Sequence, residues 1–298
     1  MKIGSPAVTF VYHLGAHCTD DDLLIRSLLK DGNLLAKRKI IVPRPRTYRK
    51  RLSEVANNYR DGPIPEGVQQ KLYDSIMKGY PAERVIFSHE DFMCMPPRVF
   101  DLNGFYAKSS YRSTWLRTLF PENPCEFFIA VRNPATYIPA ALQQEGVPDY
   151  AAFTQGVDPR SIRWSTVIEE LQANNPGCQI TVWCNEDTPL IWPTLLREIA
   201  DVEHDFTFHA ELEVLKSIMH EDGFTRMQSY LETHKPASEI QRRRIFSAFL
   251  DKFADDDAIE EEVDLPGWTP ELVDEITAAY DDDIYVIERM SGINFIAT

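Results

Sequence analysis

Short apolar runs alternate with segments of helical spacing through the first two-thirds of the chain. Runs of the kind that form strands are found at 9–13, 39–42, 84–88, 126–131 and 179–184. Between them, the spacing of apolar positions predicts helices at about 20–30, 48–58, 66–78, 111–120, 134–144 and 160–174. Beyond about residue 190 the pattern predicts helices alone, at 191–200, 211–233, 236–254 and 269–290.

This order of elements predicts the fold class. Strands that are joined by helices form a mainly parallel sheet with helices on both faces. The continuous apolar run at 127–131 is typical of a strand that is buried on both sides. We therefore predict an α/β three-layer sandwich with a mainly parallel sheet of about four to six strands. Residues 1–298 are predicted to form one domain, with an α/β core at 1–190 and a mainly helical C-terminal part at 191–298.

Composition narrows the class of partner and the compartment. The formal net charge of −15 makes the average surface repel nucleic acid and anionic membranes, so we expect neither as a partner. No apolar run is long enough to cross a bilayer. Residues 1–11 have the pattern of an approach to a first strand rather than of a secretion signal, so a cytoplasmic location is expected.

The cysteines agree with a reducing compartment. They are five in number and form neither a CxxC pair nor a zinc-binding pattern, which favours free thiols. The five positions are Cys18, Cys94, Cys125, Cys178 and Cys184.

The first strand leads into a segment that has the outline of a phosphate-binding loop. Such a loop needs a strand, a glycine-containing turn and a helix whose free N–H groups face the anion. The strand at 9–13, Gly15 and the following helical pattern supply these parts. The usual loop also carries a lysine that reaches the phosphates and a hydroxyl near its end.

Four positions of this segment match the pattern H-x-G-x-H-K-T-G-T-T, namely His13, Gly15, His17 and Thr19. Further matches are an R-[DN]-P segment at 132–134, the strand that ends before His89 and Glu90, and the C-terminal stretch 272–295. In these features the chain resembles the nucleotide-dependent sulfotransferases, particularly the bacterial members, over nearly its full length.

The resemblance implies a donor, a reaction and a set of site residues. The donor would be 3′-phosphoadenosine 5′-phosphosulfate, with Arg132 on its 3′-phosphate. The reaction would be sulfuryl transfer to a hydroxyl or amine of an unknown small-molecule or glycan acceptor. The loop positions that would hold the donor are Gly15, Ala16, His17, Cys18, Thr19, Asp20, Asp21 and Asp22.

The chain departs from this pattern where the charge matters most. Cys18 replaces the family's basic residue, Asp20 replaces its glycine, and Ala140 replaces a phosphate-binding serine. Asp21 and Asp22 replace hydroxyl residues. Two like charges 4 Å apart repel by roughly 4 kcal/mol near a protein surface, so three carboxylates oppose a donor that carries phosphates. The alternative function is therefore a catalytically inactive sulfotransferase-fold protein with a binding or regulatory role.

The same acidic residues have two structural interpretations. Thr19 followed by Asp22 has the spacing of a capping box, and acidic residues in a first helical turn stabilise the helix dipole. The carboxylates of Asp20–Asp22 could instead replace the missing phosphate by pairing with Arg132 across the strand ends.

Further residues at the predicted carboxyl edge of the sheet could carry chemistry. His89 or Glu90 could serve as the general base for an acceptor hydroxyl, or could simply pack and cap. Residues 185–187 after the last strand could enter the same cleft or cap a helix. Imidazole, thiol and carboxylate donors at 13–22 suggest a third class, a metal-dependent enzyme, but the resemblance explains the histidines without a metal and none is expected.

The chain also contains three clusters of charged residues, two basic and one acidic. The basic stretch 44–51 is either a solvated helix start or a docking patch for an anionic acceptor such as a sulfated or carboxylated glycan. The basic run 242–244 is similar, with its charges spread around a helix. The acidic residues at 255–257 and 260–262 are predicted to be a solvated helix junction.

Overall fold

A computed structural model describes residues 7–59, 62–101, 104–146, 149–261, 263 and 265–298. Residues 1–6, part of the predicted approach to the first strand, lie outside this range. So does Glu262 of the acidic cluster.

Strands and helices alternate in the order that the hydrophobic pattern predicts. The strands are β1 (Thr9–His13), β2 (Ile40–Ile41), β3 (Arg84–Ser88), β4 (Phe100–Asp101), β5 (Gly104–Phe105), β6 (Cys125–Val131), β7 (Gln179–Cys184) and β8 (Ile293–Phe295). The helices of the α/β core are α1 (Leu23–Lys30), α2 (Gly32–Lys37), α3 (Pro45–Asn58), α4 (Glu66–Met77), α5 (Ser109–Thr118), α6 (Pro134–Glu145), α7 (Tyr150–Thr154) and α8 (Trp164–Asn174). The later helices are α9 (Thr188–Ala200), α10 (Glu213–Ser217), α11 (Glu221–Thr233), α12 (Glu239–Phe253), α13 (Asp256–Ile259) and α14 (Pro270–Ile287).

Six of the strands form one parallel sheet in the order β2-β3-β1-β6-β7-β8. The register is continuous across its centre, where Tyr12 pairs with Phe87 on one side and with Phe127 on the other. This sheet, covered by helices, confirms the predicted α/β class and its parallel arrangement. The strands β4 and β5 form a separate antiparallel pair.

Side chains of the central strands are buried on both faces of the sheet. From β1, Phe10 and Tyr12 pack into a core with helices α3 to α6, whereas Val11 packs on the opposite face with α1 and α9. Each fully buried large apolar side chain of this kind contributes about 1.5–3 kcal/mol relative to exposure. Burial on both faces explains why the β6 run is continuous rather than alternating.

The C-terminal part returns to the core instead of remaining apart. The helix α14 packs against α6 and α8, and β8 adds to the edge of the sheet beside β7. A smaller apolar cluster joins α10, α11 and α12 to each other. No helix in the described part of the chain combines the length and apolar content that crossing a membrane would require.

Several element predictions are corrected by the structure. The strand β8 was not predicted, because residues beyond 190 show only helical spacing and three residues are too few to give a periodic signal. The predicted helix 211–233 is two helices, α10 and α11. The predicted helix 160–174 begins only at Trp164, after a 3-10 turn at Pro159–Ser161. Asp20 likewise lies before α1, because Asp21 and Asp22 adopt positive φ angles of 45° and 65°.

Candidate functional site

The candidate site lies at the carboxyl edge of the sheet, where β1 and β6 end side by side. The chain leaves β1 toward α1 on one face of the sheet and leaves β6 toward α6 on the opposite face. Ligands of open α/β sheets bind at such a switch point. The loop 14–22 and Arg132 are therefore brought to one place, as the sequence predicts.

The first half of the loop is fixed by its backbone. Gly15 has a φ of +96°, and a Cβ at this position would lie 3.2 Å from the Cα of Glu90, so the close approach requires glycine. The backbone N–H of Ala16 donates to the carbonyl of Ala130 at 3.1 Å, and the N–H of Ala130 donates to the carbonyl of Gly15 at 2.7 Å. The peptides at 15 and 16 are thus held by β6.

The two histidines of the loop motif face into the protein. The ring of His13 is buried, with its Nδ1 at 2.9 Å from the Ser88 hydroxyl, and burial lowers its pKa. His17 is also buried, and the hydroxyl of Tyr106 lies 2.6 Å from its Nδ1. Its Nε2 lies 3.3 Å from a carboxylate oxygen of Asp91. These contacts make both histidines supports of the loop.

Glu90 occupies the position at which the loop could offer an N–H group to an anion. Its Oε2 accepts the backbone N–H of Cys18 at 3.3 Å. The Cys18 thiol donates to Gln144 at 2.8 Å, and burial raises the pKa of that thiol to about 12. Burial also raises the pKa of the Glu90 carboxyl. Cys18 is therefore held as a neutral thiol beside an internal carboxylate.

The capping-box interpretation of Thr19 and Asp22 is wrong. The Thr19 hydroxyl donates backward to the carbonyl of Ala16 at 2.7 Å, and Asp22 makes no side-chain cap. Asp20 does that work instead, since its Oδ2 accepts the backbone N–H of Leu24 at 3.0 Å. The left-handed backbone at Asp21 and Asp22 turns the chain out of the geometry that a capping box needs.

Asp22 is paired with an arginine, but not with the one that the sequence suggests. Arg49 of α3 forms a two-pronged contact with Asp22, with one Nη1–Oδ2 distance of 2.9 Å, and also donates to the carbonyl of Ser88. Partial burial alone would raise the pKa of Asp22, but the hydrogen bond and charge of Arg49 outweigh it and lower that pKa.

Arg132 points at the loop, yet its carboxylate partner comes from elsewhere. Its Nη1 donates to the carbonyl of Cys18, and its Nη2 lies 2.6 Å from Oε1 of Glu261. The hypothesis that Asp20–Asp22 pair with Arg132 is therefore wrong, because a residue 129 positions away reaches the guanidinium instead. Glu261 belongs to the acidic cluster that was predicted to be only a solvated junction.

His89 and Glu90 follow β3 at the same edge, but they face different surroundings. Burial and the charge of Arg49 lower the pKa of His89 to about 4, so its imidazole is neutral at pH 7. The His89 ring packs edge-on against Phe92, and its Nδ1 accepts the N–H of Asp91 at 3.4 Å. Glu90 turns to the loop, whereas His89 borders a pocket.

This pocket, which we call the α3–α5 pocket, has a volume of about 350 Å³ and lies beside the loop. Its basic lining is unusual for a chain of net charge −15. The rest of the wall is mostly apolar and includes the aromatic side chains of Phe92 and Trp115. It also contains polar side chains and one carboxylate, namely Ser53, Asn57, His89 and Asp91. The basic residues of the lining are Arg49, Arg98, Lys108 and Arg112.

Among these residues, Arg98 is exposed and makes no ion pair with any residue that the structure describes. Lys108 lies 3.8 Å from Asp101, and Arg112 donates to the carbonyl of Phe92. The pocket thus joins positive charge to an aromatic wall.

The segment after β7 reaches the carboxyl edge through Glu186. Oε1 of Glu186 accepts the backbone N–H of Asn133 at 2.7 Å, and Oε2 accepts the hydroxyl of Tyr280 at 2.9 Å. The Asn133 side chain in turn accepts the N–H of Ala135, which confirms the predicted start of α6. Residues 185–187 make no side-chain cap at the start of α9, so the capping interpretation is wrong, and Glu186 instead contacts Asn133 and Tyr280 at the carboxyl edge.

Metal ligation finds no support in the described ranges. They contain no group of three or more histidine, cysteine, aspartate or glutamate side chains arranged to hold a metal ion. The donors at 13–22 diverge, because the histidines turn inward while Asp22 turns to Arg49.

Four residues of the site were not singled out from the sequence, namely Arg49, Asp91, Tyr106 and Glu261. Arg49 lies within the basic stretch 44–51, and Asp91 directly follows the candidate residues His89 and Glu90. Tyr106 and Glu261 gave no local signal, since only the fold brings them to the loop and to Arg132.

Comparisons with known proteins give no family for the chain. No model of a known protein family matches it, and no curated protein matches it.

Proposed function

We propose that this chain is a sulfotransferase-fold binding protein that takes an anionic ligand in the α3–α5 pocket and does not transfer a sulfuryl group. One observation carries the absence of sulfuryl transfer. Three groups at the carboxyl edge that could bind phosphate already have a carboxylate of this chain as partner. The pairs are Cys18 N–H with Glu90, Arg132 with Glu261, and Arg49 with Asp22.

Electrostatics oppose exchange of these partners for a donor. A phosphate at the loop would have to displace Glu90 and would still meet Asp20 and Asp21, which are close by in the same turn. Hydrogen bonds to charged groups are worth about 1.5–3 kcal/mol each, so three such exchanges are costly. Neutral Cys18 offers no compensating charge.

The binding of an anionic ligand rests on the chemistry of the α3–α5 pocket. A basic rim with an aromatic wall is suited to a small molecule or glycan unit that carries a sulfate, phosphate or carboxylate next to an apolar face. Arg98 supplies a guanidinium that no described carboxylate engages. The resemblance implied an acceptor of just such a small-molecule or glycan class.

Titration calorimetry with adenosine 3′,5′-bisphosphate tests the absence of donor binding. The expected result is no saturable heat up to millimolar concentration. Binding at low micromolar concentration would contradict the argument from the three carboxylate partners and would favour the enzyme.

The pocket is tested separately with phenyl sulfate as the probe. We expect saturable binding to the wild-type chain, and a loss of at least about fivefold in affinity for Arg98→Ala, which corresponds to about 1 kcal/mol. Arg244→Ala is the matched control, because Arg244 is also an exposed arginine but lies on α12. Equal affinity for the two variants would remove the pocket from the proposal.

A sulfotransferase-like enzyme is the second candidate, and the position of His89 favours it. An unprotonated imidazole that borders a pocket has the form a general base needs. Release of adenosine 3′,5′-bisphosphate from 3′-phosphoadenosine 5′-phosphosulfate, measured in the presence of phenolic and amine acceptors, distinguishes the two. We expect none above the rate without protein, and release that is lost in His89→Gln would establish the enzyme.

A further inference from the structure

Cys125 and Cys178 lie side by side at the amino edge of the sheet, where β6 and β7 begin. The candidate site lies at the opposite, carboxyl edge. Glu126 pairs with Gln179 in the parallel register, so Cys125 and Cys178 occupy the next pair of facing positions. Neighbouring strands are about 4.8 Å apart, and a Cα separation of that order is within the range of disulfides.

The two side chains also point to the same face. Cys125 belongs to the core on the α3–α6 face of the sheet, and Cys178 packs against that same core. The pair therefore has shared direction as well as proximity.

The environments of the two sulfurs differ in a way that suits stepwise chemistry. Cys125 is 7% exposed and its pKa is raised by burial, whereas Cys178 is half-buried and reaches the surface. The neighbouring Cys125 thiol lowers the pKa of Cys178, and the charge of Arg117 acts in the same direction. An accessible thiol that favours the thiolate, next to a buried partner, is the usual arrangement of a redox-active pair.

The other cysteines lack this arrangement. Cys94 and Cys184 are buried, and burial raises the pKa of each thiol to about 12. Cys18 donates to Gln144 instead of facing a second sulfur.

We propose that Cys125 and Cys178 form a reversible disulfide by exchange with a low-molecular-weight disulfide such as oxidised glutathione. The site does not depend on the proposed function, because it lies at the opposite edge of the sheet from the loop and the pocket. Its effect is on the sheet, since the bond would join the amino ends of β6 and β7.

The chemistry balances in two exchanges. The Cys178 thiolate attacks one sulfur of the small disulfide, whose S–S bond breaks and releases one small thiolate. The Cys125 thiol then loses its proton to solvent and attacks Sγ of Cys178, which forms the protein disulfide and releases the second small thiolate. One small disulfide is reduced to two thiols while the two cysteines are oxidised.

The experiment treats the folded full-length chain with oxidised glutathione and maps linked peptides by mass spectrometry without reduction. We expect a Cys125–Cys178 linked peptide with the loss of two hydrogen atoms, reversed by dithiothreitol. The oxidised chain should unfold at a temperature higher by about 5 °C, because the bond closes a long loop of the unfolded chain.

Variants assign the roles. Cys178→Ser should prevent modification of Cys125, and Cys125→Ser should leave a stable glutathione adduct on Cys178. Cys18→Ser is the matched control, because Cys18 is also only partly buried, and it should form the linked peptide as the wild type does. A persistent adduct on Cys178 in the wild-type chain, or no Cys125–Cys178 link after complete oxidation of the glutathione pool, would overturn the proposal. If Cys125→Ser does not fold, the wild-type and Cys178→Ser maps still decide it.

Discussion

Individual residues at the carboxyl edge determine both the shape and the electrostatics of the loop. Gly15 remains necessary because the Glu90 backbone lies against it. Cys18 and Glu90 share a hydrogen bond where an anion could otherwise bind, and Glu261 lies on Arg132. Charged groups at this edge thus have specific partners within the chain.

The pair of Arg132 and Glu261 leads to a prediction at this scale. We expect Glu261→Gln to lower the free energy of unfolding by about 1–2 kcal/mol, because it leaves the mostly buried Arg132 without its counter-charge. Added sulfate should restore part of that loss, as a ligand that binds only the folded chain does.

Urea denaturation of the wild type and of Glu261→Gln, with and without sulfate, measures both effects. Glu260→Gln is the control, since Glu260 is exposed and makes no ion pair with a described residue. Sulfate that stabilises both variants equally would show that Arg132 is not the site of rescue.

The partly buried His89 should make the stability of the folded chain depend on pH. Its pKa is lowered to about 4 by burial and the charge of Arg49, whereas the ordinary value is 6.5. At a pH between these two values the unfolded chain binds a proton at His89 that the folded chain does not bind. The contribution of His89 to the free energy of unfolding is therefore fully present above pH 6.5 and is lost as the pH falls toward 4.

From pH 7 to pH 5 we therefore expect the wild type to lose about 2 kcal/mol more stability than His89→Gln does. His204→Gln, at an exposed position, should keep the wild-type dependence. Equal slopes for the wild type and His89→Gln would mean that His89 keeps its ordinary pKa in the folded chain.

The relative positions of helices depend on packing contacts that the hydrophobic pattern of the sequence does not show. The helices α11 and α12 cross so closely that a Cβ at Gly223 would lie 2.2 Å from the Cβ of Phe253. A helix-interior glycine would ordinarily be a weak point, since alanine is the better helix former by about 1 kcal/mol. Here the crossing requires it.

We expect Gly223→Ala to lower the free energy of unfolding by about 1–3 kcal/mol, because a clash with a Cβ atom cannot be relieved by rotating a side chain. Gly67→Ala in α4 is the matched control, since no atom lies within 4 Å of its added Cβ, and it should be neutral or stabilising by up to about 1 kcal/mol. Thermal and urea denaturation of both variants measure the difference. Equal effects would show that α11 and α12 can separate without cost.

At the scale of the whole molecule, the end of the chain completes the sheet. The strand β8 pairs with β7 through Ile180 and Ile293, and Ile296 donates its N–H to the carbonyl of Val182 at 2.9 Å. It covers an edge that would otherwise present unpaired backbone groups.

Removal of residues 292–298 should therefore lower the melting temperature by about 5–10 °C and promote association through the β7 edge. Thermal denaturation and size-exclusion chromatography with light scattering measure the two effects. Removal of residues 297–298 alone leaves β8 and the Ile296–Val182 bond in place and should have little effect. A monomeric long truncation with unchanged stability would show that β8 is dispensable.

The sequence by itself determined the class of the fold and much of its element order. Periodicity is a local property, and the strands β1, β3, β6 and β7 have clear runs of apolar residues. The sequence also predicted where Gly15 and Arg132 lie, because residues that closely follow parallel strands fall at the carboxyl edge of the sheet. The acidic character of the loop also follows from the sequence, because the charge of a segment depends directly on its residue types.

The tertiary structure alone decided which charges meet. Arg49 reaches Asp22 across 27 positions, Tyr106 reaches His17 across 89, and Glu261 reaches Arg132 across 129. Side-chain partners depend on the packing of distant elements, which no local spacing encodes. For the same reason the sequence did not predict β8, which is a strand only because it pairs with β7. Likewise, Cys125 and Cys178 are neighbours only through the register of β6 and β7.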